Sequence, residues 1–177
     1  MAFVDKDGEE AKYNTLAYTA WDNDYLYFAF INYEPEISKL ITLATERDQS
    51  YAPAIWDDDS VEIFISPDSD NRAKCYQFIL NAKGVFWDGV HNSDGSLDEK
   101  CNSGFEAKTT IEANRLMVEV KIPFKDLGIT SPVAGKKIAA NLYRNHHCGQ
   151  PVTYSCWSPT LEHAHFSPSQ FGQITFK

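Results

Sequence analysis

A chain of 177 residues with 43% hydrophobic and 14% aromatic residues has the size and apolar content of one folded unit, so residues 1–177 are read as a single domain. Its formal net charge of −9 excludes the Lys/Arg clustering that nucleic-acid phosphates or an anionic membrane surface demand, and suits a neutral ligand or a bound cation. No apolar run reaches the length of a membrane span, and residues 1–7 have neither the charged nor the apolar region of a signal peptide.

Residues 15–21 alternate, Asp22-Asn23-Asp24 supplies turn chemistry, and 25–31 resumes as an apolar run. Together they predict a β-hairpin. From 35 to 55 the pattern loosens. Ile37, Leu40 and Ile41 stand at roughly helical spacing before Thr45-Glu46-Arg47-Asp48-Gln49 breaks it, so a long irregular connection is expected. Residues 60–65, 74–81 and 85–88 are separated by the Pro-containing cluster 66–71 and by Ala82-Lys83-Gly84, and read as a meander. After a polar loop at 91–103, residues 105–112 and 115–122 flank Ala113-Asn114 as a second hairpin. One helical turn at 123–127 and strands at 137–143, 152–156 and 171–176 complete the chain. About ten short strands with regular turn signals and no long helix predict an all-β fold, a two-sheet antiparallel β-sandwich of jelly-roll-like layout.

Two indoles stand out. Trp56 lies beside Asp57-Asp58-Asp59 and Trp157 in Tyr154-Ser155-Cys156-Trp157-Ser158-Pro159. Burying such a ring on both sides would drag carboxylates out of water at several kcal/mol each. Partly exposed aromatic faces are therefore expected, and two of them at one end of a sandwich would make a slot for a flat, half-apolar ligand such as a sugar ring. Trp21 and Trp87, at strand ends among aromatic neighbours, read as core. Strand parity puts Glu62 and Phe64 on one face with Val61, Ile63 and Ile65 on the other, and gathers Gln77, Ile79 and Asn81 on one face of the next strand. Glu62, Gln77 and Asn81 are thereby candidates for bonding sugar hydroxyls.

Other chemistries are weaker. The acids at 57–59 with Glu62 would suit a glycosidase only with a second, separated acid in a recognisable motif, and none is present. Asp68-Ser69-Asp70-Asn71 alternates oxygen ligands like a calcium loop, making Asp68 and Asp70 candidate metal ligands, but lacks the downstream glutamate. His163 and His165 alternate on an extended segment while His146 and His147 would point apart, so a haem or metal site is a distant alternative. Cys75, Cys101, Cys148 and Cys156 form no C-x-x-C pair, leaving disulfides and buried thiols both open. No organic cofactor is expected, since no serine elbow or phosphate loop appears.

The order of segments resembles family 9 carbohydrate-binding modules. The resemblance is carried by Ala20-Trp21-Asp22-Asn23-Asp24-Tyr25-Leu26-Tyr27-Phe28-Ala29-Phe30, by 56–65, by 76–84, and by Trp157-Ser158-Pro159 followed by His165, Pro168 and Phe171-Gly172. It implies a β-sandwich that binds sugar without cleaving it, with a glucan or xylan chain end clamped between Trp56 and Trp157. It further implies structural calcium, an oligosaccharide or polysaccharide partner, an extracellular or periplasmic location, and in some cases a covalently linked catalytic domain. Arg144, in Leu142-Tyr143-Arg144-Asn145, resembles a recurrent arginine on a late strand of the family and would bind ligand or pair with a strand carboxylate.

Overall fold

The computed structural model describes residues 1–130, 132–161 and 165–177. Two antiparallel sheets face each other. The smaller has the order β1 (Thr15–Trp21), β2 (Tyr25–Tyr33), β8 (Arg115–Pro123), β7 (Glu106–Glu112), so the two predicted hairpins lie side by side through nine β2–β8 register pairs from Tyr25↔Pro123 to Tyr33↔Arg115. The larger has the order β10 (Thr153–Cys156), β9 (Lys137–His146), β3 (Ser60–Ser66), β4 (Cys75–Asn81), β5 (Phe86–His91), β6 (Leu97–Asp98). The last strand, β11 (Gly172–Thr175), pairs with the first half of β9, while β10 pairs with its second half.

Strand composition explains the layering. In β2 the residues Leu26, Phe28, Phe30 and Asn32 are buried while their neighbours are half-buried, as expected for a sheet with one face on the core and one toward water. Strand β3 is buried at all seven positions, which requires cover on both faces. Its inward set, Val61, Ile63 and Ile65, joins Phe28, Phe30, Phe78, Leu80, Val118, Val120 and Leu142 in the core between the sheets. Its outward Phe64 joins a second cluster with Cys75, Tyr143, Cys156 and Phe171. A third outward cluster packs Ala44 and Ile55, from the long connection, on Ile79 and Trp87. The outer face of the larger sheet is thus roofed by two irregular segments, around 40–58 and 165–171.

The acidic run anchors the first roof. Asp58 accepts the backbone N–H groups of Leu43 and Ala44 at 2.5 and 3.1 Å, and Asp59 accepts those of Ile41 at 2.6 Å and His147 at 2.8 Å. Both carboxylates are buried, and each replaces water with oriented N–H donors, the arrangement that makes burying a charge tolerable. The expected irregular connection at 35–55 holds one 3₁₀ turn, Ile37–Lys39, and ends at the start of a second, Ile55–Asp57. Strand β9 runs three residues past the expected end, to His146, and the short β6 was not foreseen. All four cysteines are free. Among the described residues no helix is long and apolar enough to cross a membrane.

Candidate functional site

On the outer face of the larger sheet, between the two roofing segments, lies a recess of about 400 Å³ lined by Trp56, Asp57, Glu62, Phe64, Gln77, Ile79, Asn145, Tyr154, His165 and Phe166. Strand pairing builds its floor. Glu62 and Gln77 project from adjacent strands on the shared outward face, and Asn145 projects from β9 on the other side of β3. Gln77 Nε2 donates to Glu62 Oε2 at 2.9 Å, and Asn145 Nδ2 donates to Glu62 Oε1 at 2.6 Å and to Ser60 Oγ at 3.0 Å. His165 Nδ1 lies 3.4 Å from Glu62 Oε1.

Burial pushes the Glu62 carboxyl up, but the hydrogen bonds from His165, Asn145 and Gln77 outweigh it and hold the group below the ordinary carboxylate range. Glu62 is accordingly an anionic acceptor rather than a proton donor. His91, whose own pKa is lowered chiefly by burial, bonds Gln77 Oε1 through Nε2 at 2.8 Å. A carbonyl oxygen only accepts, so His91 carries the hydrogen on Nε2. That bond orients the Gln77 amide, leaving its second N–H for a ligand. Asn145 Oδ1 is buried and takes no hydrogen bond among the described residues.

The walls are aromatic. Trp56 sits on a 3₁₀ turn (Ile55–Asp57) and is 39% exposed, as is Phe166, while Tyr154 is 48% exposed. Trp56 rests edge-on against the buried Trp87, centroids 6.4 Å apart at 86°. Phe166 stacks on His91, centroids 3.9 Å apart at 15°. Gly89 makes room for this support: a Cβ there would stand 2.4 Å from Trp87 Cη2.

The structure brings together Trp56, Glu62 and Gln77 but not the other expected residues. Trp157 does not line this recess. It is half-buried, packs on the core between the sheets, and lies over Gly172, where a Cβ would come within 2.7 Å of its ring. The reason is parity: Tyr154 and Cys156 pair with Asn145 and Tyr143 and face outward with them, so the next residue turns inward. Asn81 shares the outward face, but the roof seals it. Its Nδ2 donates to Asp58 Oδ2 at 2.8 Å and Ala44 O at 3.3 Å, and its Oδ1 accepts from the backbone of Lys83 and Val85. Arg144 points the opposite way, buried, donating to Glu34 Oε2 at 2.8 Å and to Tyr33 O at 2.9 Å.

Asn145, Tyr154, Phe166 and His91 were not singled out in the sequence. Of the acids at 57–59, Asp57 alone reaches the recess, since Asp58 and Asp59 are committed to backbone donors. Asp68 and Asp70 are exposed. Asp68 Oδ1 accepts the backbone N–H groups of Asp70 and Asn71, which lower its pKa with help from Lys136, and Lys136 and Lys137 line the same surface. Two ammonium groups beside an already occupied carboxylate are a poor fit to calcium. His146 faces inward while His147 lies near Tyr154, ring centroids 5.9 Å apart, and His163 lies outside the described residues.

Solved structures of similar fold include a candidate carbohydrate-binding protein from Bacteroides uniformis ATCC 8492, with 17% identity, a TM-score of 0.76 and coverage of 94% of this chain and 80% of that one. A family 9 carbohydrate-binding module from Caldicellulosiruptor kristjanssonii in complex with cellotriose has 20% identity, a TM-score of 0.68 and coverage of 94% and 76%. The same organism's module in complex with glucose has 20% identity, a TM-score of 0.65 and coverage of 94% and 78%. No curated protein matches the chain. The two-sheet antiparallel sandwich agrees with these folds, the model of the Carbohydrate family 9 binding domain-like family matches residues 2–177, and the chain belongs to that family.

Proposed function

We propose that this chain captures a neutral sugar, without cleaving it, in the recess between Trp56 and Phe166. The observation that carries the reading is a floor of oriented polar groups beneath exposed rings. Glu62 accepts and Gln77 donates. Such a floor matches alternating hydroxyls on a ring edge, while the apolar C–H face of a pyranose stacks on Trp56. The recess volume admits about one or two sugar units. Because the related modules are in complex with cellotriose and glucose, β-glucan oligosaccharides are the first ligands to test, with xylan fragments second. A single stacked site of this kind gives affinities of about μM to mM. Modest affinity suffices if the chain works outside the cytoplasm tethered to a catalytic domain, where linkage raises the local concentration.

In place of a Trp56–Trp157 clamp, the aromatic contacts are Trp56 on one segment and Phe166 with Tyr154 on others. The test is isothermal calorimetry with glucose, cellobiose, cellotriose and xylo-oligosaccharides, together with an assay for reducing ends. Saturable heat with no release of reducing sugar is expected. Absence of binding to every saccharide would overturn the proposal, and release of reducing ends would replace it with a hydrolase that uses Asp57 and Glu62.

A further inference from the structure

At the far end of β9, where the two sheets meet, Glu34, His146 and Cys148 bring a carboxylate oxygen, an imidazole nitrogen and a thiol sulfur within 4.8 Å of one another. We propose that these three side chains bind one zinc-class divalent ion, which ties the end of β2 to the end of β9. This site shares no residue with the sugar recess and does not depend on it.

The geometry is near that of a tetrahedral site. Cys148 Sγ lies 3.5 Å from His146 Nε2, the edge of a tetrahedron with Zn–S of about 2.3 Å and Zn–N of about 2.0 Å. His146 Nε2 and Glu34 Oε2 are 2.7 Å apart through a hydrogen bond, and exchanging that hydrogen for a metal requires them to part by only about 0.6 Å. Two of the three ligands are rigidly held. Glu34 Oε1 accepts the N–H of Glu36 at 2.8 Å, and the His146 ring stacks on Tyr13 with centroids 3.8 Å apart. Glu34 and His146 are buried while Cys148 is half-buried, so the fourth position faces solvent on the cysteine side and suits a water.

Charge favours a cation. Arg144 lies on Glu34 Oε2 at 2.8 Å and opposes one, but Asp59, which accepts the backbone N–H groups of His147 and Cys148, offsets it. Glu34, Asp59 and Arg144 sum to −1, and adding a divalent ion with a Cys148 thiolate brings the cluster to zero. The adjacent Glu36 and Lys39 form a neutral pair. On binding, Cys148 loses its thiol proton to solvent and the His146 hydrogen moves from Nε2 to Nδ1, so one proton is released per ion. A thiolate, an imidazole and one carboxylate select zinc or cobalt over calcium, which takes oxygen ligands alone.

The experiment titrates reduced, chelator-treated protein with zinc chloride by calorimetry and with cobalt chloride by absorption. One equivalent should bind, the cobalt form should show a thiolate-to-metal charge-transfer band in the near ultraviolet, and zinc should raise Tm and slow labelling of Cys148. Cys148→Ser and Cys148→Ala, checked for folding by circular dichroism, should lose the band and weaken zinc binding by about tenfold or more. Cys101→Ser should retain both. A band that survives in the Cys148 variants, or protein that takes up neither ion, overturns the proposal. Cellotriose binding should be the same with and without zinc, which keeps this test separate from that of the sugar site.

Discussion

Replacing Trp56 with Ala separates the two tryptophans that the sequence presents as equals. With 39% of its surface exposed, an indole side chain of up to ~250 Å² leaves about 100 Å² for a ligand. A pyranose that covers half of that face removes ~50 Å² from water, about 1.3 kcal/mol at ~25 cal/mol per Å². Stacking adds about 1 kcal/mol, so Trp56→Ala should weaken binding by about 2 kcal/mol, or some ~30-fold in Kd. The same ring keeps about 150 Å² out of water, against Trp87 among others, so the substitution should also cost about 3 kcal/mol of stability.

Trp157→Ala should differ from it in binding. That ring packs on the core and over Gly172, and truncation leaves a cavity worth about 3 kcal/mol. The folded variant should nevertheless bind within about threefold of the parent. Calorimetry with the best saccharide from the ligand screen, paired with thermal unfolding of each variant, reads both quantities. Parent-like affinity in Trp56→Ala, or a loss of binding in Trp157→Ala with Tm unchanged, would refute the placement of the site on the outer sheet face.

Gly89→Ala, which puts a Cβ 2.4 Å from Trp87, should cost about 1–3 kcal/mol of stability by overpacking and weaken sugar binding by shifting the support of Trp56; denaturant unfolding and calorimetry check the two effects. Arg144→Leu leaves the Glu34 carboxylate buried without its guanidinium and should cost about 3–5 kcal/mol, with sugar affinity of the folded fraction unchanged; weakened affinity at full stability would return Arg144 to the ligand. In the folded chain the His91 pKa is lowered by burial, so the unfolded chain takes up that proton first, near pH ~6.5. The stability contributed by neutral His91 is therefore complete above about 6.5 and is lost as pH falls from there through the folded value. Denaturation midpoints across that range should show the slope, and His91→Gln should flatten it.

Period-2 alternation made much of this architecture legible. The hairpins, the meander and the shared face of Glu62 and Gln77 follow from parity, because successive strand side chains must point to opposite faces. Parity assigns a face but says nothing of what covers it. Asn81 has the right face and is sealed by Asp58 and the backbone of Ala44, a long-range contact that a one-dimensional pattern does not carry. Asn145 is hidden for a different reason. Arg144, Asn145 and His146 look like the polar end of a strand, so the pattern predicts an end to β9 at Tyr143. In fact Arg144 and His146 point inward to Glu34, which keeps the alternation going and turns Asn145 outward. Phe166 lies in an irregular segment where no period exists to read, and only the packed roof brings it to His91.

That same roof explains how polar residues persist in the middle of a buried sheet. Strand β3 would gain stability from an apolar residue in place of Glu62, since desolvating a carboxylate costs several kcal/mol that its partners recover only when every bond is made. Gln77, Asn145 and His165 supply those bonds, and His91 fixes Gln77 in turn. The chain thus holds a rigid set of donors and acceptors beneath three exposed rings, at a cost in stability that a purely structural sheet would have no reason to bear. Apolar covering continues on both sides of this patch, in the Phe64 and Trp87 clusters. It stops where the polar floor begins, and that boundary is the feature on which the proposed sugar site rests.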